Sequence, residues 1–372
     1  MLRTARFLRQ HLRPSAAAIQ TAELTYARGA ESLPATGLRP SGRSERLPVW
    51  VLLHGLTYTG REHPALVGFG RALAASGTAV FVPDVPEWRA LRFAPAISEA
   101  TITAAVLAAS RLDGIDPDRI GLIGFSFGAT QALIASVDPA LRNRLAGVAA
   151  WGGYYDVRRL FGFGITGRHD LDGRAYRTRP DPYGAWMAGA NYLTSVPGHA
   201  EDGDVAEQLR LLAEEAGRRR VYAADPSYDA HKAELSAALP AEKRALFDLF
   251  ARPSTSSLDP WNDGVWSRDE VEGLALALAE AALARDPLLD PAPFLPQVDV
   301  PIVLAHALDD RLVPFTESIR LRRGLPPASV RTCQILALFS HSGGPHEALG
   351  KLGRMRETLR FALLLRQILR LL

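Results

Sequence analysis

Six short runs of aliphatic and β-branched residues, each followed by a turn and then a stretch of helical spacing, constrain this 372-residue chain more than any other feature. They lie at 49–53, 79–82, 120–124, 146–150, 301–305 and 332–338. Runs that are apolar throughout, rather than alternating, and that are separated by helices mark strands buried on both faces of a parallel sheet. The expected fold class is therefore α/β, with a mostly parallel, doubly wound sheet. Ahead of these runs, residues 1–20 read as a short arginine-rich helix ending near Pro14. Residues 19–26 alternate well enough for an early strand, and 29–48, broken by Pro and Gly, read as loop.

Between residues 151 and 290 the alternation stops. Helical patterns at 203–220, 230–238, 240–251 and 269–285, punctuated by Pro, Gly and Asp, occupy that interval, and the strand pattern resumes at 298–305. A sheet that pauses and then continues implies a helical subdomain inserted into one fold. The expected organisation is an N-terminal extension over 1–48, the first part of the core over 49–151, a helical cap over 152–290 and the second part of the core over 291–372. The chain has no internal repeat, which excludes a solenoid.

With 47% apolar and 22% charged residues the chain has an ordinary globular composition, which excludes disordered and disulfide-scaffold classes. Its single thiol, Cys333, cannot form an internal disulfide. Arg366 and Arg370 break the leucine-rich tail, and Arg3, Arg6, Arg9 and Arg13 interrupt the only place for a signal-peptide core. A cytoplasmic location is expected on these grounds. The net charge is only +3 and no coherent basic face is evident, so nucleic acid is not an expected partner. The basic residues do gather at the ends: 1–22 carry four Arg and no acid, and 351–372 carry six basic residues against Glu357. A peripheral membrane contact through these ends is the alternative to a final helix packed on the sheet with its arginines pointing outward.

The strongest chemical signal is in 115–128, where Gly124, Ser126 and Gly128 form G-x-S-x-G with a strand-like run before them and a helix-like run after. A strand that turns sharply into a helix forces the residue at the turn into a strained backbone conformation. The flanking positions must be small so that strand and helix can approach. The Ser126 hydroxyl would then stand at the carboxyl edge of the sheet, above a helix N-terminus that favours developing negative charge. The bland alternative is a glycine-rich turn with an incidental serine.

These residues resemble the nucleophile elbow of the α/β-hydrolase superfamily, and Asp116-Pro-Asp-Arg-Ile-Gly121 resembles the lead-in of its esterase and dienelactone-hydrolase-like members. The resemblance covers 49–151 and 291–345, not the insert. It implies a serine, acid, histidine order along the chain, because serine needs a base and the base an orienting acid. Residues 301–314 resemble the family's H-G-x-x-D-x-x-V-P segment, with Ala307 in place of the usual Gly. Asp310 is the acid this implies, with Asp309 and Asp156 as alternatives. The implied base is His341, the first histidine after the last run, with His346 as the alternative. Their spacing, without carboxylate or cysteine support, is no metal signature, and the chemistry needs no cofactor.

Acyl transfer also needs donors aimed at the tetrahedral oxygen. The turn His54-Gly55-Leu56 is similar in position to the family's oxyanion loop, so the resemblance implies the backbone N–H groups of Leu56 and Phe127 as the pair, with the His54 side chain as a brace. The same structural reading suits His306 and the remaining histidines. Residues 151–192 hold nine of the chain's 29 aromatic residues. In the superfamily an insertion here caps the site, so Tyr154 and Tyr155, nearest a strand's carboxyl end, are the expected pocket residues. The alternative is that these rings form the cap's own core.

The expected function is a serine hydrolase that cleaves a small-molecule carboxylic ester through an acyl-enzyme, a carboxylesterase. The alternatives are a membrane-surface lipid hydrolase of lipase or lysophospholipase type, a peptidase, an acyltransferase, or a non-catalytic binding module on the same scaffold.

Overall fold

Each apolar run is a strand. In the computed structural model, which describes residues 2–15, 19–42, 45–219, 222–337 and 349–372, the chain begins with α1 (Leu2–Leu12), β1 (Ile19–Arg28) and β2 (Glu31–Pro40). It continues through β3 (Leu47–Leu53), α2 (Pro64–Ala75), β4 (Ala79–Pro83), the single turn α3 (Pro86–Arg89), α4 (Pro95–Ser110), β5 (Ile115–Phe125), α5 (Phe127–Ala135) and β6 (Leu145–Trp151). There follow α6 (Val157–Thr166), β7 (Arg168–Leu171), β8 (Arg174–Arg177), α7 (Pro182–Tyr192), α8 (Gly203–Arg219), α9 (Asp229–Ala237), α10 (Ala241–Phe250) and α11 (Arg268–Arg285). The sheet then resumes with β9 (Ile302–Ala307), α12 (Thr316–Gly324), β10 (Val330–Leu336) and α13 (Lys351–Ile368).

Eight strands form one sheet in the order β1-β2-β4-β3-β5-β6-β9-β10. β2 runs antiparallel to both its neighbours, β1 and β4, and from β4 through β10 every adjacent pair is parallel. The fold class is α/β, mostly parallel and doubly wound. All seven residues of β3 are buried, as a strand covered on both faces requires. Its side chains alternate between two cores: Val49, Val51 and Leu53 pack with Ile102, Val106 and Leu133 from α4 and α5. Trp50 and Leu52 pack with Phe7 of α1, Phe69 of α2 and Phe361 of α13. Burying a side chain of this size contributes roughly 1.5–3 kcal/mol, so the helices are held by what the strands present to them.

Residues 31–40, expected as loop, are instead strand β2, so the segment expected as an extension contributes two strands to the sheet. The reason is where the breakers fall. Pairing with β4 runs only from Ala35 to Leu38, leaving Pro34 and Pro40 outside that ladder, where a missing N–H removes no interior bond.

Between β6 and β9 lie the four expected helices and, unexpectedly, α6, α7 and a β7–β8 hairpin turned by Asp172 and Gly173, both at positive φ (52° and 77°). The excursion leaves and re-enters between adjacent strands, since Val148 to Trp151 pair with Ile302 to Ala305. No helix among the described residues is long and apolar enough to cross a membrane.

Candidate active site

Ser126 stands alone between the last residue of β5 and the first of α5, at φ 55° and ψ −126°. L-residues avoid this region, and holding one there costs on the order of 1–3 kcal/mol. The surroundings enforce it. The Ser126 N–H donates to the Trp151 carbonyl at 2.8 Å, extending the β5–β6 ladder, while its carbonyl accepts from the Ala129 N–H at 2.9 Å, starting the helix. A Cβ on Gly124 would stand 2.1 Å from the Gly128 carbonyl oxygen, and one on Gly128 would stand 2.4 Å from that of His54. Both glycines are therefore required by close backbone approach, as the spacing predicts.

The loop after β3 lies against this turn. A Cβ on Gly55 would stand 3.0 Å from Ser126 Cβ and 3.6 Å from its Oγ, so the serine side chain borders the loop that carries Leu56. Phe127, the first residue of α5, has no intrahelical acceptor for its N–H. His54 braces the loop. Its Nδ1–H donates to the Gly55 carbonyl at 2.7 Å, Nε2 accepts from the Val85 N–H at 3.3 Å, and the ring packs edge-on against Trp88. Burial pushes its pKa down to about 4, which suits a ring whose second nitrogen must stay an acceptor.

The loop after β9 holds Asp310, which is 3% exposed, next to a half-buried Asp309. Asp310 Oδ1 accepts from the Leu312 and Val313 N–H groups at 2.9 and 3.0 Å, which fixes the carboxylate in a tight turn. Its Oδ2 lies 3.4 Å from Nε2 of the fully buried His306. His306 is itself locked: Nε2 donates to the Val313 carbonyl at 2.8 Å, and Nδ1 pairs with Ser318 Oγ at 2.6 Å. The structural reading expected for His306 fits these contacts, but its direct approach to Asp310 was not anticipated. The signal that could have found it is its four-residue offset from Asp310 at a strand end.

The loops after β3, β5 and β9 thus leave the same carboxyl edge, with Ser126 and Asp310 separated by the single strand β6. Both candidate bases, His341 and His346, lie outside the described residues. Asp156, the alternative acid, serves locally: it caps α6 by accepting the Arg158 N–H at 2.8 Å. Beside it, Glu317 of α12 accepts the Tyr155 and Asp156 N–H groups, both at 3.0 Å. Burial pushes the Glu317 pKa up to about 7. Glu317 also lines a cavity of about 240 Å³ with Phe163, His169 and Thr316, and Ser126 is not part of its lining.

The expected pocket tyrosines are placed otherwise. Tyr154 is 1% exposed, its ring stacked on Phe127 and its hydroxyl donating to the Leu289 carbonyl at 3.0 Å, so it is core packing beneath the elbow helix. Tyr155 packs its ring against Gly324 at the end of α12. A strand end carries both residues toward the site, but the side on which each ring emerges follows from packing partners far along the chain.

Segments of the insert reach both loops instead. The Asp181 N–H donates to the Arg311 carbonyl at 2.7 Å, and Asp181 Oδ1 caps α7 through the Tyr183 N–H at 3.0 Å. Tyr183 Oη donates to the Leu56 carbonyl at 3.3 Å. Burial pushes the pKa of this phenol up, keeping it a donor. Further along, Gly217 of α8 packs on Tyr58, and Arg311 Nη1 donates to Tyr222 Oη at 3.0 Å.

No protein-family model and no curated protein matches the sequence. Among solved structures the chain is similar to a hypothetical protein from Pseudomonas aeruginosa, with 17% identity over 94% of both chains and a TM-score of 0.49. It is similar to an acylaminoacyl peptidase from Pyrococcus horikoshii, with 12% identity over 95% of this chain but only 42% of the peptidase and a TM-score of 0.48. A third likeness is to brefeldin A esterase, a bacterial homologue of human hormone-sensitive lipase, with 18% identity, coverage of 97% and 81%, and a TM-score of 0.46. Because β2 runs opposite to the other seven strands of the sheet and the serine turn closes the strand flanked by β3 and β6, the chain has the α/β-hydrolase fold.

Proposed function

We propose that the protein is a serine hydrolase of carboxylic esters, a carboxylesterase that acts on a small-molecule ester without a cofactor. Ser126 Oγ attacks the ester carbonyl carbon while its proton passes to His341, and the N–H groups of Leu56 and Phe127 hold the oxyanion. As the tetrahedral intermediate collapses, the bond to the alcohol oxygen breaks and His341 returns the proton to that leaving group. A water that gives its proton to His341 then attacks the acyl carbon, and Ser126 leaves reprotonated. Asp310 orients the imidazole and stabilises its charged form.

The observation that carries this reading is the Ser126 backbone at φ 55°. A strained non-glycine residue persists only where the surroundings impose it, and a hydroxyl gains no packing from the position. The placement of Asp310 supports it too. Strands β5 and β9, two ladder steps apart, are separated by about 10 Å, a gap that an imidazole can bridge.

A fluorophosphonate probe tests the reading directly. It should modify Ser126 in the intact protein and leave a folded Ser126→Ala variant unlabelled, with nitrophenyl-ester hydrolysis down by about 10³-fold or more. Retained turnover in that variant removes Ser126 from the chemistry. His341→Ala should be as damaging, and a larger loss in His346→Ala would move the base. Nitrophenyl esters of increasing acyl length, alongside an amide, separate esterase from lipase and peptidase.

A further inference from the structure

Helix α13 is apolar on two opposite faces, and among the described residues only one of them is covered. Phe361, Leu364, Leu365 and Ile368 are buried against the sheet. Leu352, Met355, Leu359 and Leu363, spaced as successive turns on the other side, are 78%, 67%, 61% and 45% exposed. Arg356 and Arg370 are exposed with them. The one acid of the helix, Glu357, is turned inward, where it accepts the Ala337 N–H at 2.7 Å and pairs with Arg360 at 2.6 Å.

Helix α1 continues the same surface. It is clasped to the end of α13 by Arg3, which donates to the Leu369 and Leu372 carbonyls at 2.8 and 2.9 Å, and by Phe7 packed on Phe361. Its outward residues repeat the pattern: Leu2 and Leu12 are 65% and 73% exposed, beside exposed Arg6, Arg9 and Arg13. Residues 1–15 contain no acid at all.

We propose that α1 and α13 together form a docking face for an anionic phospholipid surface, lying in its interface with the leucines in the acyl boundary and the arginines at the headgroups. Charge selects this occupant. A second copy meeting the face across a two-fold axis would set arginine against arginine with no carboxylate between, whereas an anionic bilayer supplies both hydrocarbon and negative charge. The Glu357–Ala337 bond, just beyond the end of β10, puts the first turns of α13 at the carboxyl edge of the sheet, the edge that also bears Ser126.

Sedimentation of the full chain with vesicles tests this. Vesicles of equal parts phosphatidylcholine and phosphatidylglycerol should bind at least about tenfold more protein than phosphatidylcholine alone, and added salt should weaken the binding. Two double variants, Leu359→Gln with Leu363→Gln and Arg356→Glu with Arg370→Glu, should each lose about tenfold or more of that binding. Their unfolding curves should change little, because Leu359, Arg356 and Arg370 are mostly in solvent and Leu363 is 45% exposed. A Ser126→Ala chain should bind like the parent, so the outcome is independent of the catalytic reading. Equal binding to neutral vesicles, no binding, or variants that bind like the parent would overturn the proposal. So would a dimer in solution that the same substitutions abolish, which would give the face to a second copy.

Discussion

The phenol of Tyr183 donates a hydrogen bond to the backbone carbonyl of Leu56 across 3.3 Å, tying the first turn of α7 to the loop beside Ser126. Tyr183→Phe deletes that bond and little else. A net loss of about 0.5–1.5 kcal/mol in loop positioning predicts a kcat lower by roughly 2- to 12-fold with KM almost unchanged, measured on a nitrophenyl ester. An unchanged kcat would show that the loop holds its shape without the tyrosine.

Ser126→Gly should separate stability from activity. Glycine occupies φ 55° without steric penalty, so the variant is expected to be more stable by on the order of 1 kcal/mol in urea denaturation while hydrolysis disappears. A loss of stability would mean that the serine side chain contributes more than its backbone costs.

Gly124→Ala and Gly128→Ala should fail at the level of folding. Each new methyl meets backbone oxygen at 2.1 and 2.4 Å, and neither neighbour is a flexible side chain. Expected losses are about 4 kcal/mol or more, or no soluble protein, in equilibrium unfolding. Gly55→Ala, with a 3.0 Å approach to the Ser126 side chain, should fold better and lose activity first.

Asp310→Asn should lower turnover more than Asp309→Asn. The amide can keep its oxygen on the Leu312 and Val313 N–H groups, but its NH2 must then face the His306 Nε2–H and can no longer hold a charged imidazole. A fall of about 10³–10⁴-fold in kcat is expected, and the opposite ranking would exchange the two acids.

Glu317 sets a pH dependence whose sign is fixed by burial. Its carboxyl pKa is raised to about 7, so the folded chain holds this proton more tightly than the unfolded one. The resulting stability is complete below the ordinary carboxylate range and is lost as pH rises through 7. Relative to Glu317→Gln, the parent should lose about 1–3 kcal/mol between pH 5 and 8 in chemical denaturation. A difference that does not move with pH would show that the buried carboxyl ionises normally. His54 acts in the other direction: its pKa is held at about 4, so acidification below the ordinary histidine range favours the unfolded chain.

The parallel strands, the elbow and the turn carrying Asp310 were legible in the sequence because each depends on local pattern: continuous apolar runs, paired glycines, an acid at a strand end. Strand β2 was not, because Pro34 and Pro40 look like breakers until β4 is known to pair only with the four residues Ala35 to Leu38. Helix α7 was hidden for a different reason. It is buried nearly all round, from Ala185 to Ala190 and Tyr192, so it has no polar face to set a period. The β7–β8 hairpin did carry a readable signal in Asp172-Gly173. Tyr154 lies inward, which was not legible because nearness to the end of β6 says nothing about what its ring will touch.

The direct pairing of β6 with β9 means that no strand register depends on the residues spanning them. A lineage built on this scaffold could exchange the inserted segment for another, provided the replacement again hydrogen-bonded the turns at Leu56 and Arg311. The sheet and the segment inserted into it could then change independently of each other.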